Sequence, residues 1–304
     1  MRILFAGTPE IAATMLRSLA FEHEICGAFC QPDKPVGRKA VVTAPAVKLA
    51  ALELGIPVFQ PTTLRDGAAA QIIRNLAPEL IAVVAYGKLL PKEVLEIPPR
   101  GCVNIHASLL PKYRGAAPIQ RALMNGERSI GVCSMYMDEG LDTGDIIESV
   151  MLEVSDCDDA VTMFARVGVC GAQLLSRTAN AIERGDISRT PQRGELASFA
   201  PPLKKEEGAF CWTDDARDIF NKVRALSLWP NAFFVYAGRT IKVIKSRAIE
   251  FNAPCGEIIS LNPLTVAASG GAVELLEIKP EGSRQMTGRE WSVGQRLKIS
   301  DILE

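Results

Sequence analysis

The chain has 304 residues, of which 48% are hydrophobic and 23% charged, and its formal net charge is −1. These proportions exclude a disordered chain, and the near-neutral balance excludes a polycation that holds nucleic acid along its whole length. No apolar run approaches the ~20 residues that cross a bilayer, and Met1-Arg2-Ile3-Leu4-Phe5-Ala6-Gly7 is too short for a signal peptide, so a cytoplasmic protein is expected.

Residues 2–6 form an apolar run that predicts a first strand. Thr8-Pro9 then offers an N-cap and a first-turn proline, and Ile11, Met15, Leu16 and Leu19 recur at helical spacing. A second strand is expected at 25–29, and a helix at 45–54 closed by Gly55 with Pro57 behind it. The run 80–85 is nearly all apolar, as in a parallel strand covered on both faces, and 102–105 and 130–135 repeat the pattern. Residues 158–184 read as one long helix ending at Gly185. This alternation predicts α/β architecture, a Rossmann-like open sheet in the N-terminal domain.

Pro191, Pro201 and Pro202, among many polar residues, mark a connection. Beyond it lie a short helix at 214–226 and short strands at 232–236, 240–244, 256–260, 264–268 and 273–278, with turns at Gly238 and Gly270-Gly271. They predict a smaller β-barrel, OB-like, as the C-terminal domain. The expected boundaries are 1–188 for the first domain, 189–206 for a linker and 207–304 for the second.

The eight cysteines (26, 30, 102, 133, 157, 170, 211 and 255) include no pair at the spacing of a zinc or redox site, and buried free thiols are expected. Two stretches carry basic residues and no acid: Lys34 to Lys48 with four, and Lys222 to Arg247 with six. Each is either a solvated face or a contact for phosphates.

The first turn, Phe5-Ala6-Gly7-Thr8-Pro9-Glu10, lacks the three-glycine fingerprint of a dinucleotide site, which argues against a nicotinamide enzyme. The informative stretch is Asn104-Ile105-His106-Ala107-Ser108-Leu109-Leu110-Pro111. Residues two apart on a strand share a face, so Asn104 and His106 stand side by side at a strand end, where open α/β sheets bind ligands. An amide beside an imidazole can hold an oxyanion and manage a proton, but a satisfied structural His–Asn pair fits the same residues. The loop Asp138-Glu139-Gly140-Leu141-Asp142-Thr143-Gly144-Asp145 does not fit a calcium loop. One aspartate in it, oriented toward His106, is the economical reading, with plain turn chemistry as the alternative.

Asn104-x-His106-x-Ser108-Leu109-Leu110-Pro111, then Arg114-Gly115-Ala116-Ala117-Pro118-Ile119-Gln120-Arg121-Ala122, then Gly140-Leu141-Asp142-Thr143-Gly144, closely resembles the formyltransferase family that uses 10-formyltetrahydrofolate. Phe5–Pro9, Gln31-Pro32-Asp33-Lys34-Pro35, Val84-Ala85-Tyr86-Gly87 and Leu228-Trp229-Pro230 extend the resemblance along the chain. Within the family it is most similar to the branch whose acceptor is methionyl-initiator tRNA. The resemblance implies a catalytic trio of Asn104, His106 and Asp142. It implies cosubstrate contacts from Ser108, Leu109, Leu110 and Pro111, and from Tyr86, Gly87 and Leu89. It implies tRNA contact through a loop carrying Arg38 and Lys39, where relatives often carry more lysines than Lys39-Ala40-Val41-Val42. The second domain is expected to add Lys222, Arg224, Lys242 and Lys245. No metal and no membrane are expected, and a monomer is.

Three rivals remain in view. Amino-sugar-nucleotide formyltransferases share Asn-x-His and the Ser-Leu-Leu-Pro run, but differ after Arg114-Gly115 and in the aspartate loop. Glycinamide ribonucleotide formyltransferase is usually one domain, whereas about 100 residues follow Lys205 here. A non-catalytic tRNA-binding or folate-binding module would have little use for the oxyanion and proton-transfer set. Aromatic residues Trp229, Phe233 and Phe234 suit either base stacking or the core of the second domain, with the core preferred.

Overall fold

The protein is described by a computed structural model that covers residues 1–36 and 40–303. Contacts among the residues divide the chain into two compact units: Met1–Pro118, Ser129–Glu153 and Phe164–Pro201 form one, and Ile119–Arg128, Val154–Met163 and Pro202–Glu304 the other.

In chain order the elements up to the second unit's main body are β1 (Arg2–Gly7), α1 (Glu10–Leu19), β2 (Glu24–Phe29), β3 (Lys34–Val36), β4 (Val41–Thr43), α2 (Ala46–Glu53), β5 (Val58–Phe59), α3 (Ala68–Leu76), β6 (Leu80–Val84), α4 (Lys92–Leu95), β7 (Cys102–His106), β8 (Arg114–Gly115), α5 (Pro118–Met124), β9 (Ser129–Tyr136), β10 (Ile146–Glu153), α6 (Ala160–Arg184) and β11 (Phe199–Ala200). Among the described residues, one sheet runs β10-β9-β7-β6-β1-β2-β5. Its β1, β2, β5, β6 and β7 are parallel, and β9 and β10 continue it antiparallel. The chain winds outward from β1 through β2 to β5, then returns to β6 on the other side of β1. That reversal is the topological switch point where the carboxyl ends of β1 and β6 part.

All five residues of β6 are buried, as a strand covered on both faces requires. On α1, Ala12, Ala13, Met15, Leu16 and Leu19 form the buried face. The expected strands and long helix are present. Short β5, α3 and the edge strand β10 were not expected; β10 alternates between half-buried and exposed positions without the long apolar signature of a central strand.

The second unit contains α7 (Ala216–Ala225), β12 (Ala232–Tyr236), β13 (Arg239–Ile249), β14 (Ile258–Leu261), β15 (Leu264–Ala268), β16 (Gly271–Pro280), β17 (Met286–Thr287) and α8 (Gly288–Gln295). Its antiparallel sheet has the order β12-β13-β16-β15-β14, with β17 paired to β16. Asp215 caps α7 by accepting from the N–H groups of Arg217 and Asp218. The mainly aliphatic core contains the aromatic rings of Phe210, Trp212, Phe234 and Trp291. Phe234 packs against Phe210, Trp212 and Trp291 at ring-centroid distances of 5.8, 5.2 and 5.9 Å. The core reading therefore holds for Phe234, but Trp229 is 52% exposed.

The thiols divide. Cys26, Cys30, Cys102 and Cys133 are buried, whereas Cys157, Cys211 and Cys255 are exposed and Cys170 is intermediate. Burial pushes Cys30 up to about 11 and Cys102 up to about 12, so both stay protonated and unreactive at neutral pH. The expectation of buried thiols thus fails for the exposed three: Cys157 and Cys255 sit in loop sequence, and Cys211 faces out between the buried rings of Phe210 and Trp212. No helix among the described residues is long and apolar enough to cross a membrane.

Phe234→Ala opens a cavity among three aromatic rings, and the expected loss is about 3–5 kcal/mol of unfolding free energy, measured by urea denaturation of the full chain.

Candidate active site

Strand β7 lies between β6 and β9, so its backbone is bonded on both edges. Asn104 and His106 alternate with apolar Val103 and Ile105 and share one face. His106 is 6% exposed. A buried imidazole needs partners at both nitrogens. Nε2 lies 2.9 Å from the carbonyl oxygen of Tyr113, and a carbonyl only accepts, so the proton sits on Nε2. Nδ1 lies 3.7 Å from Oδ2 of Asp142, beyond hydrogen-bond length. Nδ1 is therefore the nitrogen left for chemistry, with a carboxylate beside it.

Asp142 is held from several directions. Its Oδ2 accepts the Gly115 N–H at 2.8 Å, and its Oδ1 lies 3.5 Å from Nδ2 of Asn104, a weak contact. The residue has φ 53°, a left-handed conformation that aspartate tolerates better than most residues. Gly144 leaves the loop no alternative: a Cβ there would lie 1.9 Å from the Tyr136 carbonyl oxygen. Asp138 closes the other end of the loop, accepting from the Gly140 N–H at 3.0 Å and the Thr143 hydroxyl at 2.6 Å.

Gly115 reaches Asp142 because β8 pairs in parallel with β11. The Ala200 carbonyl accepts from the N–H groups of Ala116 and Ala117 at 2.9 and 3.1 Å. At Gly115, with φ 122°, a Cβ would stand 2.7 Å from that same oxygen, so only glycine fits. The segment 190–200, expected as part of a linker, is thus built into the first unit. Gln192 within it donates to the carbonyls of Asp142 and Gly144 and accepts from Arg114. Sequence reasoning missed Gln192, the Tyr113 carbonyl and the Gly115 N–H. Backbone groups carry no side-chain signal, and one glutamine in a polar stretch has none either.

The remaining expected residues are distributed as follows. Ser108 is buried and donates to the Lys112 carbonyl at 2.6 Å, so its hydroxyl serves the turn. Leu110 packs with Cys133 and Met135, and Leu109 covers Gly131, where a Cβ would meet it at 2.3 Å. Pro111 is half-buried. At the switch point, the Tyr86 carbonyl accepts from Thr8 Oγ1 at 3.0 Å and Gln31 Nε2 at 3.1 Å, which ties the ends of β1, β2 and β6 together. The Tyr86 side chain is buried, and burial pushes its phenol up to about 12. Gly87 has φ 83° and Leu89 is 56% exposed.

Arg38 and Lys39 lie outside the described residues. From the same basic run, Lys48 bonds both oxygens of Asp33, at 2.9 and 2.8 Å, and Gln60 at 3.0 Å. It is a structural ion pair. In the second unit, Arg224 is buried, with Nε on Asn221 at 3.1 Å and Nη1 on the Ser155 carbonyl at 3.0 Å. This corrects the expectation that Arg224 meets tRNA: its position on the inner face of α7 turns the guanidinium into the fold. Lys222 donates to the Ala209 carbonyl at 2.8 Å, and Lys242 lies near the Pro230 carbonyl and Asn231 at 3.2 and 3.3 Å. Lys245 is exposed, as are Arg239 and Arg247. Among the described residues, no group of three His, Cys, Asp or Glu side chains is arranged to hold a metal ion.

Residues 1–179 match the family model described as formyl transferase, and residues 202–296 match the model of its C-terminal domain. The chain belongs to the formyl transferase family. Among its curated relatives, the methionyl-tRNA formyltransferase of Thermodesulfovibrio yellowstonii is 45% identical over 97% of this chain and 96% of its own length. The fold is also that of WlaRD, a sugar 3N-formyl transferase solved in the presence of dTDP and 5-N-formyl-THF, with a TM-score of 0.67, 16% identity and coverage of 93% of this chain and 99% of that one. HypX from Aquifex aeolicus, in complex with tetrahydrofolic acid, matches with a TM-score of 0.62 and 20% identity over 96% of this chain, which spans about half of HypX, 48%. This formyl transferase is therefore an enzyme.

Gly115→Ala should force β8 away from Ala200 and displace the backbone N–H that holds Asp142. A drop in kcat of about tenfold or more is expected in a steady-state formyl-transfer assay. It should come with about 1–3 kcal/mol lost in denaturant unfolding, from strain at the positive φ.

Proposed function

We propose that the protein transfers the formyl group of 10-formyltetrahydrofolate to the α-amino group of methionyl-initiator tRNA, with Asn104, His106 and Asp142 as the reacting side chains. The observation that carries the reading is the trio itself: an amide, an imidazole with Nδ1 uncommitted and a backbone-anchored carboxylate meet on one sheet face. The full-length similarity to curated methionyl-tRNA formyltransferases supports the acceptor.

The folate fits the switch point by its chemistry. A flat heteroaromatic ring needs peptide groups to bond its edge and an apolar side chain against its face. The turn after β6 supplies both kinds of group. At Gly87 a Cβ would meet only Gln31 Nε2, at 3.6 Å, so the backbone is open there, and Leu89 holds its side chain out two residues later.

In the reaction the neutral amine's lone pair attacks the formyl carbon, and the carbonyl π electrons move onto oxygen. Nδ2 of Asn104 donates to the resulting oxyanion, and Nδ1 of His106, which carries the ring's lone pair, accepts from the attacking amine and orients it. The free side of Asp142 Oδ1 takes the proton that the amine must shed. When the oxyanion re-forms the carbonyl, the bond to the folate nitrogen breaks. That nitrogen keeps the electron pair and receives one proton, so one proton moves in all, from amine to tetrahydrofolate. The Tyr113 carbonyl keeps the ring in one tautomer throughout, and the Gly115 N–H keeps Asp142 aimed.

In the second unit, Arg239, Lys242, Lys245 and Arg247 lie on β13, with Arg247 paired to Glu274 at 3.3 Å, and are the basic residues best suited to tRNA phosphates. They work without Arg224.

His106→Ala should lower kcat by roughly 10²–10⁴-fold with 10-formyltetrahydrofolate and charged initiator tRNA, while folate binding by calorimetry stays near wild type. Near-normal turnover would remove the imidazole from the mechanism. Replacing Arg239, Lys245 and Arg247 with alanine should raise the KM for tRNA and lower its log–log salt slope by about one per lost phosphate contact. An unchanged slope would make these residues a solvated face.

A further inference from the structure

The side-chain amide of Gln192 has every hydrogen-bonding position occupied. Nε2 donates to the Asp142 carbonyl at 2.9 Å and to the Gly144 carbonyl at 2.7 Å. Oε1 accepts from Nε and Nη2 of Arg114 at 3.1 and 2.7 Å. Two donors and two acceptor sites are all that a primary amide has. The orientation is therefore forced: turned over, the amide would set its oxygen against two carbonyl oxygens and its NH₂ against a guanidinium.

No other residue meets these demands. Glutamate keeps the guanidinium partner but points a charged oxygen at two carbonyls. Asparagine is one methylene too short. Arg114 is itself buried and lies beside Gly115, whose N–H holds Asp142. Gln192 thus grips the backbone of Asp142, and through Arg114 it grips the strand that anchors the Asp142 carboxylate. Ser198, from the same segment, accepts the Tyr113 N–H at 2.9 Å, next to the carbonyl that fixes His106.

We infer that Gln192 is the positioning residue of the reaction, setting the backbone of Asp142 at its left-handed φ so that the carboxylate stands beside His106 Nδ1 without touching the substrate. The inference rests on the catalytic assignment of Asp142 proposed above. It also adds a role for the segment 190–200 in completing the catalytic face.

The test compares wild type with Gln192→Ala, which removes both halves of the grip, and Gln192→Glu, which keeps the Arg114 contact and loses donation to the carbonyls. The first readout is amide hydrogen exchange at Gly115 in the free protein, with β12–β13 amides as the reference for global folding. Exchange at Gly115 should speed up by about tenfold or more in both variants with the reference unchanged. The second is formylation of methionyl-tRNA. In both variants kcat should fall by about 10- to 100-fold, because small misplacements of reacting groups cost that much. KM for 10-formyltetrahydrofolate should stay within about threefold, and the pH profile of kcat should shift, because the carboxylate no longer faces the imidazole in one geometry. If Gln192→Glu retains wild-type kcat, or if Gly115 exchange does not change, the inference is overturned. If wild type itself does not formylate methionyl-tRNA, the functional reading fails. The exchange experiment still decides whether Gln192 holds the loop.

Discussion

A central strand of an open sheet must be covered on both faces, yet β7 carries an amide and an imidazole on one of them. Leaving those groups buried and unpaired costs about 1–3 kcal/mol each. Much of the surrounding loop structure answers that constraint. The turn after β7 returns the Tyr113 carbonyl to His106, and the loop after β9 returns Asp142 between Asn104 and His106. Neither return closes into a short contact among the three side chains: Asn104 to Asp142 is 3.5 Å and His106 to Asp142 is 3.7 Å.

Rigidity comes from backbone geometry more than from side-chain pairing. Gly115, Asp142 and Tyr113 all have positive φ, and Gly144 sits where a Cβ has no room. Strained or glycine-only conformations persist only where their surroundings over-determine them. Here the Ala200 carbonyl, the Gln192 amide and the Arg114 guanidinium do so. The Arg114 guanidinium is hydrogen-bonded by the amide oxygen of Gln192, an uncharged acceptor, in place of a carboxylate.

The second unit follows another logic. Its core joins aliphatic side chains from the sheet to aromatic packing around Phe234, α7 is capped by Asp215, and its charged residues are sorted by depth. Arg224 is drawn into the fold, Lys222 and Lys242 bond carbonyls at its margin, and Arg239, Lys245 and Arg247 stay outside. A run of six basic residues without an acid therefore contains only part of an electrostatic surface. A charge count along the chain weights all six equally, although a buried guanidinium contributes little to an external field.

The sequence by itself determined much of this protein. Apolar runs located β1, β2, β6, β7 and β9, and strand alternation placed Asn104 and His106 on one face, because these signals are local and periodic. The motif residues around them determined the family. Only the tertiary structure decided which strands are neighbours, that the segment 190–200 belongs to the first unit, and that Gln192 holds both Asp142 and Arg114. It also decided that Arg224 is buried and Trp229 exposed. Those outcomes depend on contacts between residues tens of positions apart and on backbone N–H and carbonyl groups that every residue type shares. A hydrogen bond from Gly115 to Asp142 has no counterpart in the spelling of the chain.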